Sequence, residues 1–118
     1  MHYINNCDTI EDMKDIIIAF DVDGTIYGSP FAHKGEPVLN VKTVQLMQLL
    51  REHIKNCKII CWSGGGKEYA EQIVNKFGLE KWVDECWGKS DYIYEPDLAF
   101  DDEYDFKMAK VNLIVKCK

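Results

Sequence analysis

Features that would place this chain in a membrane or secretory class are missing from its sequence. No apolar run approaches the roughly 20 residues that a transmembrane helix requires, and "IIIAF" is only as long as a strand. The N-terminal stretch "MHYINNCDTIEDMKD" carries acids and lacks the basic start and apolar centre of a signal peptide. These absences predict a protein without a membrane span, located in the cytosol.

Paired cysteines and clustered basic residues are missing as well. The five cysteines form no CxxC pair, which favours reduced, mostly buried thiols over a disulfide framework or a cysteine zinc site. The 14 basic residues are scattered among 20 acidic ones, and the net charge is -6. Because non-specific binding to a phosphate backbone requires clustered Lys and Arg, the sequence disfavours a protein that coats nucleic acid.

What the sequence does contain predicts a single domain over residues 1–118, a length sufficient for one real core. The β-branched apolar run from Ile16 to Phe20 is typical of a strand buried on both faces of a parallel sheet. Further strands are predicted at Lys58 to Trp62, just after "WVDECW", at Leu98 to Phe100, and at Val111 to Val115.

Two amphipathic helices are predicted between these strands. The first has apolar residues at helical spacing from Val41 to Ile54, with Asn40 as its candidate N-cap. The second follows "SGGG" and ends at Gly78. This alternation indicates an α/β architecture with a doubly wound, mainly parallel, Rossmann-like sheet and helices on both faces. The stretch from Gly28 to Asn40 lacks periodicity and is predicted to be a long, functional loop.

Polar side chains follow three of the predicted strands. Asp21 and Asp23 follow the first strand, Ser63 and three glycines follow the second, and Asp101 and Asp102 follow a later one. Since ligands bind beyond the carboxyl ends of parallel strands, we expect these residues to converge on one crevice. Four carboxylates so close together require a cation, and a set of oxygen donors alone favours a hard ion such as Mg²⁺.

The same end of the sheet is suited to a phosphate. Ser63 supplies a hydroxyl donor, and the glycines from Gly64 to Gly66 allow backbone N–H groups to approach an anion at a helix start. Lys89, in "GKSD", lies between the second strand end and the later one, where an ammonium can neutralise a phosphoryl oxygen or a carboxylate. Most lysines are solvated surface residues, so its place in the order is what supports this assignment.

These motifs resemble those of the haloacid dehalogenase (HAD) superfamily of phosphohydrolases. "DVDGT" after a buried strand resembles the first motif of that family, Asp-x-Asp-x-Thr or Val. "CWSGGG" resembles the second motif, Lys89 is placed like the third, and "LAFDDE" resembles the fourth. The resemblance covers roughly residues 16 to 102, which is most of the chain.

The resemblance implies a role for each residue of the first motif. Asp21 would be the nucleophile that attacks phosphorus and carries the aspartyl-phosphate. Asp23 would be the general acid for the leaving group and then the base for the hydrolytic water, with its backbone carbonyl on the metal. Thr25, counted among the phosphate-binding residues, would help to hold the loop around that acid.

The other motifs imply the phosphate-binding and metal-binding residues. Ser63, with Gly64, and Lys89 would bind and neutralise the phosphoryl group. Asp101 would complete the Mg²⁺ shell to which the two aspartates of the first motif belong. Asp102 would be a further ligand or an outer-shell partner.

No segment between the motifs is long enough for the cap domain that many relatives carry, so the chain resembles a small capless member. In the family, an open site often goes with large substrates such as proteins or nucleic-acid ends, or with a neighbouring subunit that serves as the lid. We therefore expect a phosphorylated substrate. A macromolecular substrate and a homo-oligomer both stay open.

The leading hypothesis is thus a Mg²⁺-dependent phosphomonoester hydrolase, and two hypotheses from other classes stand beside it. A receiver-like phosphoacceptor also has an acidic metal pocket on a doubly wound sheet, although receivers carry the phosphorylated Asp after the third strand. A catalytically idle binding module could retain the same fold. Against it, a degenerate site has no need of both Asp21 and Asp23.

Overall fold

The apolar run after Asp15 forms the central strand of a five-stranded sheet. In the computed structural model, which describes residues 15–28, 37–102 and 109–115, strand β1 spans Ile16–Asp21 and pairs in parallel on both sides. Ile18, Ala19 and Phe20 are fully buried, as expected for a strand covered on both faces. The prediction of a buried strand at this position is confirmed.

Six further strands follow β1 among the described residues. They are β2 (Tyr27–Gly28), β3 (Val38–Leu39), β4 (Cys57–Ser63), β5 (Glu85–Gly88), β6 (Leu98–Asp101) and β7 (Val111–Ile114). Strands β2 and β3 form an antiparallel pair of their own. The other five make one sheet of order β5-β4-β1-β6-β7, in which every pairing is parallel. The predicted α/β architecture with a mainly parallel sheet is therefore confirmed.

Two described helices connect the first three strands of this sheet. Helix α1 spans Val41–His53 between β1 and β4, and α2 spans Lys67–Lys76 between β4 and β5. Gly78 follows α2 with a φ of 66°, the left-handed conformation that commonly ends a helix. Asn40 is the N-cap residue of α1, as predicted, but its side chain makes no capping hydrogen bond and donates to the Thr25 carbonyl instead.

Both described helices pack on the same face of the sheet. The main core joins Phe20 of β1 to Met47 of α1 and Ile73 of α2. The opposite face carries a smaller cluster in which Trp62 of β4 packs with Tyr92, from the segment after β5. Within the described residues, the prediction of helices on both faces is met on one face only, and residues 1–14 lie outside them.

The order of the strands places a switch point beside β1. From β1 the chain proceeds outward to β4 and then to β5, and it returns to add β6 on the other side of β1. Counted along the chain, the sheet order is third, second, first, fourth, fifth. In sheets of this kind ligands bind where the order reverses, at the carboxyl ends of the strands. A ligand site is therefore expected in the crevice between β1 and β6.

The long segment between the first motif and α1 is not a plain loop. It begins and ends in β2 and β3, where Tyr27 pairs with Leu39 and Gly28 with Val38. The predicted loop from Gly28 to Asn40 is thus wrong near its ends, since Gly28 at its start and Val38 and Leu39 near its end belong to a small ladder. Residues 29–36 lie outside the described residues.

Two of the expected absences concern membranes and disulfides. Among the described residues, no helix combines the length and the apolar character needed to cross a membrane. Cys57 and Cys61 are buried, Cys86 is half-buried, and all three are free thiols. The prediction of reduced, mostly buried cysteines holds for these three.

Candidate functional site

The carboxyl ends of β1 and β6 bring two acidic side chains together. Phe20 pairs with Phe100 in the parallel ladder, and their rings stack with centroids 4.7 Å apart. The next residue of each strand is Asp21 and Asp101, and both are buried. Because adjacent parallel strands run in register, two carboxylates that are 80 residues apart in sequence end beside each other. The first of the expected convergences is present.

The ends of β4 and β5 meet in the same way and place the lysine. Ser63 pairs with Gly88, and the backbone N–H of Lys89 donates to the Ser63 carbonyl at 2.9 Å. This bond directs the chain after β5 across the end of the sheet. The serine and the lysine, which the sequence assigned to two separate motifs, are thereby joined through the backbone.

The Lys89 ammonium lies between the two buried aspartates. Its Nζ is 2.9 Å from Oδ1 of Asp21 and 2.8 Å from Oδ2 of Asp101, and the side chain is only 13 % exposed. Burial opposes the charge of this ammonium, but the hydrogen bonds and charges of the two carboxylates outweigh it and raise the pKa of Lys89. Lys89 therefore remains protonated and is a structural part of the site.

Asp21 is the most perturbed carboxyl group of the site. Burial raises the pKa of Asp21 from 3.8 to about 7, although the hydrogen bond and charge of Lys89 lower it. The nearby Asp101 carboxylate adds to the increase. A buried carboxyl group with a shifted pKa next to a cation is typical of functional sites as well as of ion-pair networks. Its ionised form needs more positive charge than Lys89 alone supplies.

Three carboxylates could supply the ligands of a metal ion. One oxygen each from Asp21, Asp101 and Asp102 lie within 4.8 Å of one another. Burial, the largest cause, together with neighbouring Asp101 raises the pKa of Asp102. An oxygen-only set of this kind suits Mg²⁺, whose shell usually combines one or two carboxylates with waters and phosphate oxygens. The donors therefore fit the expected ion, and three of the four expected carboxylates form the set.

Gly24 makes the approach of Asp102 possible, a role that the sequence did not assign. Its φ is +83°, a conformation that favours glycine, and a Cβ built at this position would overlap the Asp102 carboxylate. The glycine of "DVDGT" therefore serves two purposes, a turn after β1 and space for an acid that follows β6. Only the first of these could have been inferred from a local turn pattern.

Thr25 supports Asp21 from inside the protein. It is fully buried, and its hydroxyl is 3.5 Å from Oδ2 of Asp21, to which it donates a long hydrogen bond. Its carbonyl accepts hydrogen bonds from the Thr43 hydroxyl at 2.8 Å and the Asn40 amide at 3.1 Å. These contacts connect the site loop to the start of α1. Thr25 is therefore buried beside the Asp21 carboxylate, the candidate nucleophile.

Asp23 lies apart from the three clustered carboxylates and has a different partner. It is exposed, and its Oδ1 accepts a hydrogen bond of 2.6 Å from the Tyr69 hydroxyl. Tyr69 belongs to the helix that the sequence predicts after "SGGG", and the sequence assigned it no role at the site. The only hint was its position six residues after Ser63, at the start of a helix that begins at the site.

The glycine turn after β4 uses some of its own backbone donors. The Gly65 N–H donates to the Ser63 hydroxyl oxygen at 2.9 Å, and the Gly66 N–H donates to the Ser63 carbonyl at 3.2 Å. Gly64 is exposed, and its N–H is not used inside this turn. Ser63 itself is buried. The turn therefore presents the Ser63 hydroxyl and the Gly64 amide as its candidate anion donors, fewer than the three glycines alone suggested.

A groove of about 570 Å³ opens between α2 and β5, away from these residues. It is lined by residues that include Lys67, Glu71, Glu85 and Trp87, and none of the clustered carboxylates belongs to it. Lys67 already covers the Trp87 ring, with its Nζ 5.1 Å from the ring centroid. The groove combines charges of both signs and carries no arrangement of groups that indicates chemistry. The strand ends remain the candidate site.

No family model, no curated protein and no solved structure matches this chain. Its function must therefore be inferred from its own residues and their arrangement. What these residues offer is a buried carboxyl–ammonium–carboxyl group, an adjacent third carboxylate and an exposed fourth one, at the switch point of a parallel sheet.

Proposed function

We propose that this chain is a Mg²⁺-dependent phosphomonoester hydrolase of the HAD type, which acts through an aspartyl-phosphate on Asp21. The observation that carries the proposal is the position of Lys89, whose Nζ lies within 2.9 Å of both Asp21 and Asp101. A buried carboxylate can attack a phosphate only if positive charge offsets the repulsion between them. Lys89 supplies part of that charge, and the carboxylate cluster can hold the rest.

Asp21 is the nucleophile of the proposed reaction. One of its carboxylate oxygens attacks phosphorus, and the bond between phosphorus and the leaving oxygen breaks. In the second step a water attacks phosphorus, and the bond to the Asp21 oxygen breaks, which releases inorganic phosphate. Splitting one hydrolysis into two transfers eases each half. Thr25, buried behind Asp21, fixes the orientation of this carboxylate.

Asp23 moves the protons of both steps. Its carboxylic acid gives a proton to the leaving oxygen in the first step, and the resulting carboxylate takes one from the attacking water in the second. The exposed position of Asp23 supports this role, since leaving groups and water must reach it from solvent. Asp21 and Asp23 thus have different environments, one buried against a lysine and the other exposed beside a tyrosine.

The phosphoryl group would be held by donors from two strand ends. Ser63 has its hydroxyl oxygen occupied as an acceptor by the Gly65 N–H, which leaves the hydroxyl hydrogen to donate to a phosphoryl oxygen. The Gly64 amide at the start of the turn provides a second donor, and Lys89 a charge. When bound to Asp21, Asp101 and Asp102, Mg²⁺ would supply Lewis-acid stabilisation of the phosphoryl oxygens.

The strand order disfavours the receiver-like alternative. Receiver domains have the flavodoxin-like order in which the first strand lies between the second and the third. Here the first strand, β1, lies between β4 and β6, the second and fourth strands of the sheet. The third sheet strand, β5, ends at Gly88 and is followed by Lys89 rather than by a phosphorylatable Asp. A hydrolase with turnover is therefore favoured over a stable phosphoacceptor.

The proposal is tested by steady-state hydrolysis of p-nitrophenyl phosphate with and without Mg²⁺. We expect repeated turnover that requires the divalent ion, and an Asp21→Asn variant whose rate falls by at least about a thousandfold, as for loss of a nucleophile. Asp15→Asn is the matched control, because Asp15 is exposed and lies just before the opposite end of the same strand.

Three results would contradict the proposal. Full turnover in Asp21→Asn, with the Asp15→Asn control also active, would remove the nucleophile assignment. A wild-type chain that incorporates phosphate once from a phosphodonor without turning over would favour a phosphoacceptor. Absence of any Mg²⁺-dependent stabilisation together with absence of turnover would favour the idle binding module.

A further inference from the structure

A short hydrogen bond joins the exposed carboxylate of the site to helix α2. The Tyr69 hydroxyl donates to Oδ1 of Asp23, and the two oxygens are 2.6 Å apart. Burial, the largest cause, and the Asp23 carboxylate both raise the pKa of Tyr69, so its hydroxyl keeps the proton that it donates. The distance is that of a strong charge-assisted bond between a hydroxyl and a carboxylate.

The two partners differ in how firmly the rest of the protein holds them. Tyr69 is the third residue of α2, next to Ala70, which is fully buried in the main core. Its ring also lies against the glycine turn, 3.4 Å from where a Cβ on Gly65 would be. Asp23 lies in the turn after β1, where its backbone forms an isolated bridge with Tyr27 instead of belonging to a strand. The firmly packed side chain therefore holds the exposed one.

We propose that Tyr69 is a positioning residue that holds the Asp23 carboxyl group in the orientation needed for proton transfer to the leaving group. This inference rests on the proposed phosphohydrolase function, in which Asp23 is the general acid and base. Tyr69 extends the site to a residue outside its four sequence motifs. An exposed aspartate without this contact would be distributed over several rotamers, most of them unsuited to the transfer.

The chemistry of a hydroxyl fits this role in both halves of the reaction. The Tyr69 hydroxyl can donate to Oδ1 of Asp23 both in the carboxylate and in the carboxylic acid protonated on the other oxygen, because Oδ1 accepts a hydrogen bond in either state. Asp23 exists as the acid before the leaving group departs and as the carboxylate afterwards. One fixed tyrosine can therefore orient Asp23 in either state without any movement of helix α2, and no proton is exchanged with Tyr69.

The test compares two phosphomonoesters that differ in their need for a general acid. Nitrophenolate leaves readily without protonation, whereas the alkoxide of an alkyl phosphate must be protonated as it leaves. In Tyr69→Phe we expect kcat/KM for the alkyl ester to fall about tenfold or more, the order expected for one lost hydrogen bond to a charged group. For the nitrophenyl ester we expect a fall of less than about threefold, because that leaving group depends little on Asp23.

Tyr94→Phe is the matched control, since Tyr94 is exposed and also loses only a hydroxyl. It should retain kcat/KM for both esters. Thermal unfolding of both variants, with and without Mg²⁺, checks that each one folds and still responds to the ion. If the role of Tyr69 were merely structural, Tyr69→Phe would lower kcat/KM for the two esters by the same factor.

A double-mutant cycle gives a second criterion. If Tyr69 acts through Asp23, Tyr69→Phe should have no further effect on the alkyl ester in an Asp23→Ala background, because the two changes remove the same function. The positioning role would be overturned if Tyr69→Phe lowered kcat/KM for the alkyl ester by the same factor in the wild-type and Asp23→Ala backgrounds. It would also be overturned if Tyr69→Phe lowered kcat/KM for the two esters by the same factor. Either result would leave the phosphohydrolase proposal standing. A wild-type chain that hydrolyses neither ester would overturn both.

Discussion

At the scale of single residues, Asp21 faces two opposing requirements. In the proposed reaction it must be buried so that water does not compete at its carboxylate, and it must be ionised to attack phosphorus. Burial, the largest cause, raises the pKa of Asp21 to about 7 even though Lys89 lowers it. The Lys89 ammonium favours the ionised form of Asp21. The carboxylates of Asp101 and Asp102 could, together with Asp21, hold a metal ion that adds positive charge. The composition of the site therefore follows from the requirements of one group.

Replacement of Gly24 should be more costly than replacement of the other glycines that have positive φ and open surroundings. Gly24→Ala combines backbone strain with overlap between the new Cβ and the Asp102 carboxylate, whereas Gly78→Ala has strain at φ 66° and open space. We expect Gly78→Ala to lower the free energy of unfolding by about 1 kcal/mol and Gly24→Ala by clearly more, about 2 to 3 kcal/mol.

Urea denaturation of the two glycine variants measures this difference. Gly64→Ala serves as the control, because Gly64 has neither a positive φ nor an atom within 4 Å of a built Cβ. Its midpoint should match that of the wild-type chain. If Gly24→Ala were no less stable than Gly78→Ala, the close packing of Asp102 on the turn would be wrong.

At the scale of secondary-structure elements, the two helices hold the loops of the site from one side. Helix α1 contributes Thr43, whose hydroxyl donates to the Thr25 carbonyl behind Asp21. Helix α2 contributes Tyr69, which holds Asp23. Helix α2 starts directly after the glycine turn that follows Ser63, and hydrogen bonds from Asn40 and Thr43 place the start of α1 beside Thr25, so the first turn of each helix lies next to the residues that it supports. The helices are therefore part of the preorganisation of the site as well as of the core.

Thr43→Val tests the contribution of α1. The substitution conserves shape and removes the Thr43 donor to the Thr25 carbonyl, which keeps the Asn40 amide at 3.1 Å. We expect the free energy of unfolding to fall by about 1 to 2 kcal/mol, as for a buried hydrogen bond with an acceptor left partly unsatisfied. The Mg²⁺-dependent hydrolysis rate should fall as well, because the loop that carries Asp21 loosens.

Chemical denaturation and the hydrolysis assay on Thr43→Val and on Gln45→Ala separate these effects. Gln45 is exposed on the same helix, so its replacement should change stability by less than about 0.5 kcal/mol. Wild-type stability in Thr43→Val would show that the bond to Thr25 contributes nothing measurable.

At the scale of the whole molecule, the site exists because the strand order reverses beside β1. The residues that meet there come from the ends of β1, β4, β5 and β6. No two of these strands are close enough along the chain for local structure alone to bring their ends together. The site is therefore a product of the complete sheet, and global stability and metal binding should be coupled through it.

This coupling predicts a characteristic pH dependence of stability. The folded pKa of Asp21 is raised from 3.8 to about 7, so between these values the folded state holds a proton that the unfolded state has lost. Without a divalent ion, the Asp21 contribution to stability should therefore decrease as pH rises through this window and level off above it. Mg²⁺ should stabilise increasingly as pH rises towards 7, because its ligand must first lose that proton.

This prediction is tested by melting temperatures measured with and without Mg²⁺ from about pH 5 to about pH 8, a range that covers the raised pKa of Asp21. In Asp21→Asn the stabilisation by Mg²⁺ should persist with a weaker pH dependence, since the raised pKa of Asp102 still contributes. Asp15→Asn should behave like the wild-type chain. A Mg²⁺ effect that is independent of pH, or strongest at pH 5, would contradict the prediction.

Much of the fold and part of the site could be predicted from the sequence. Buried parallel strands have apolar runs, and a polar or charged residue directly after such a run marks a strand end, as at Asp21, Ser63 and Asp101. The positions of both helices followed from their apolar spacing. These features are local, because each one depends on residues within a few positions of one another.

Other features depended on which parts of the chain meet in space. Local sequence could not show that the Tyr69 hydroxyl reaches Asp23, since an aromatic residue on an amphipathic helix is normally part of the core. It could not show that the Asn40 side chain serves the Thr25 carbonyl instead of capping α1. Both outcomes were decided by partners distant in sequence, which satisfy polar groups that local structure leaves open.

The sequence by itself determined the kinds of groups at the ends of the strands, which are carboxylates, a serine, glycines and a lysine, and the order of these groups along the chain. Only the tertiary structure decided their arrangement. It placed the Lys89 ammonium between Asp21 and Asp101, drew Asp102 over Gly24, and left Asp23 exposed with Tyr69. The physical reason is that electrostatic and hydrogen-bond energies depend on distances of a few ångströms, which the order of residues along a chain does not specify.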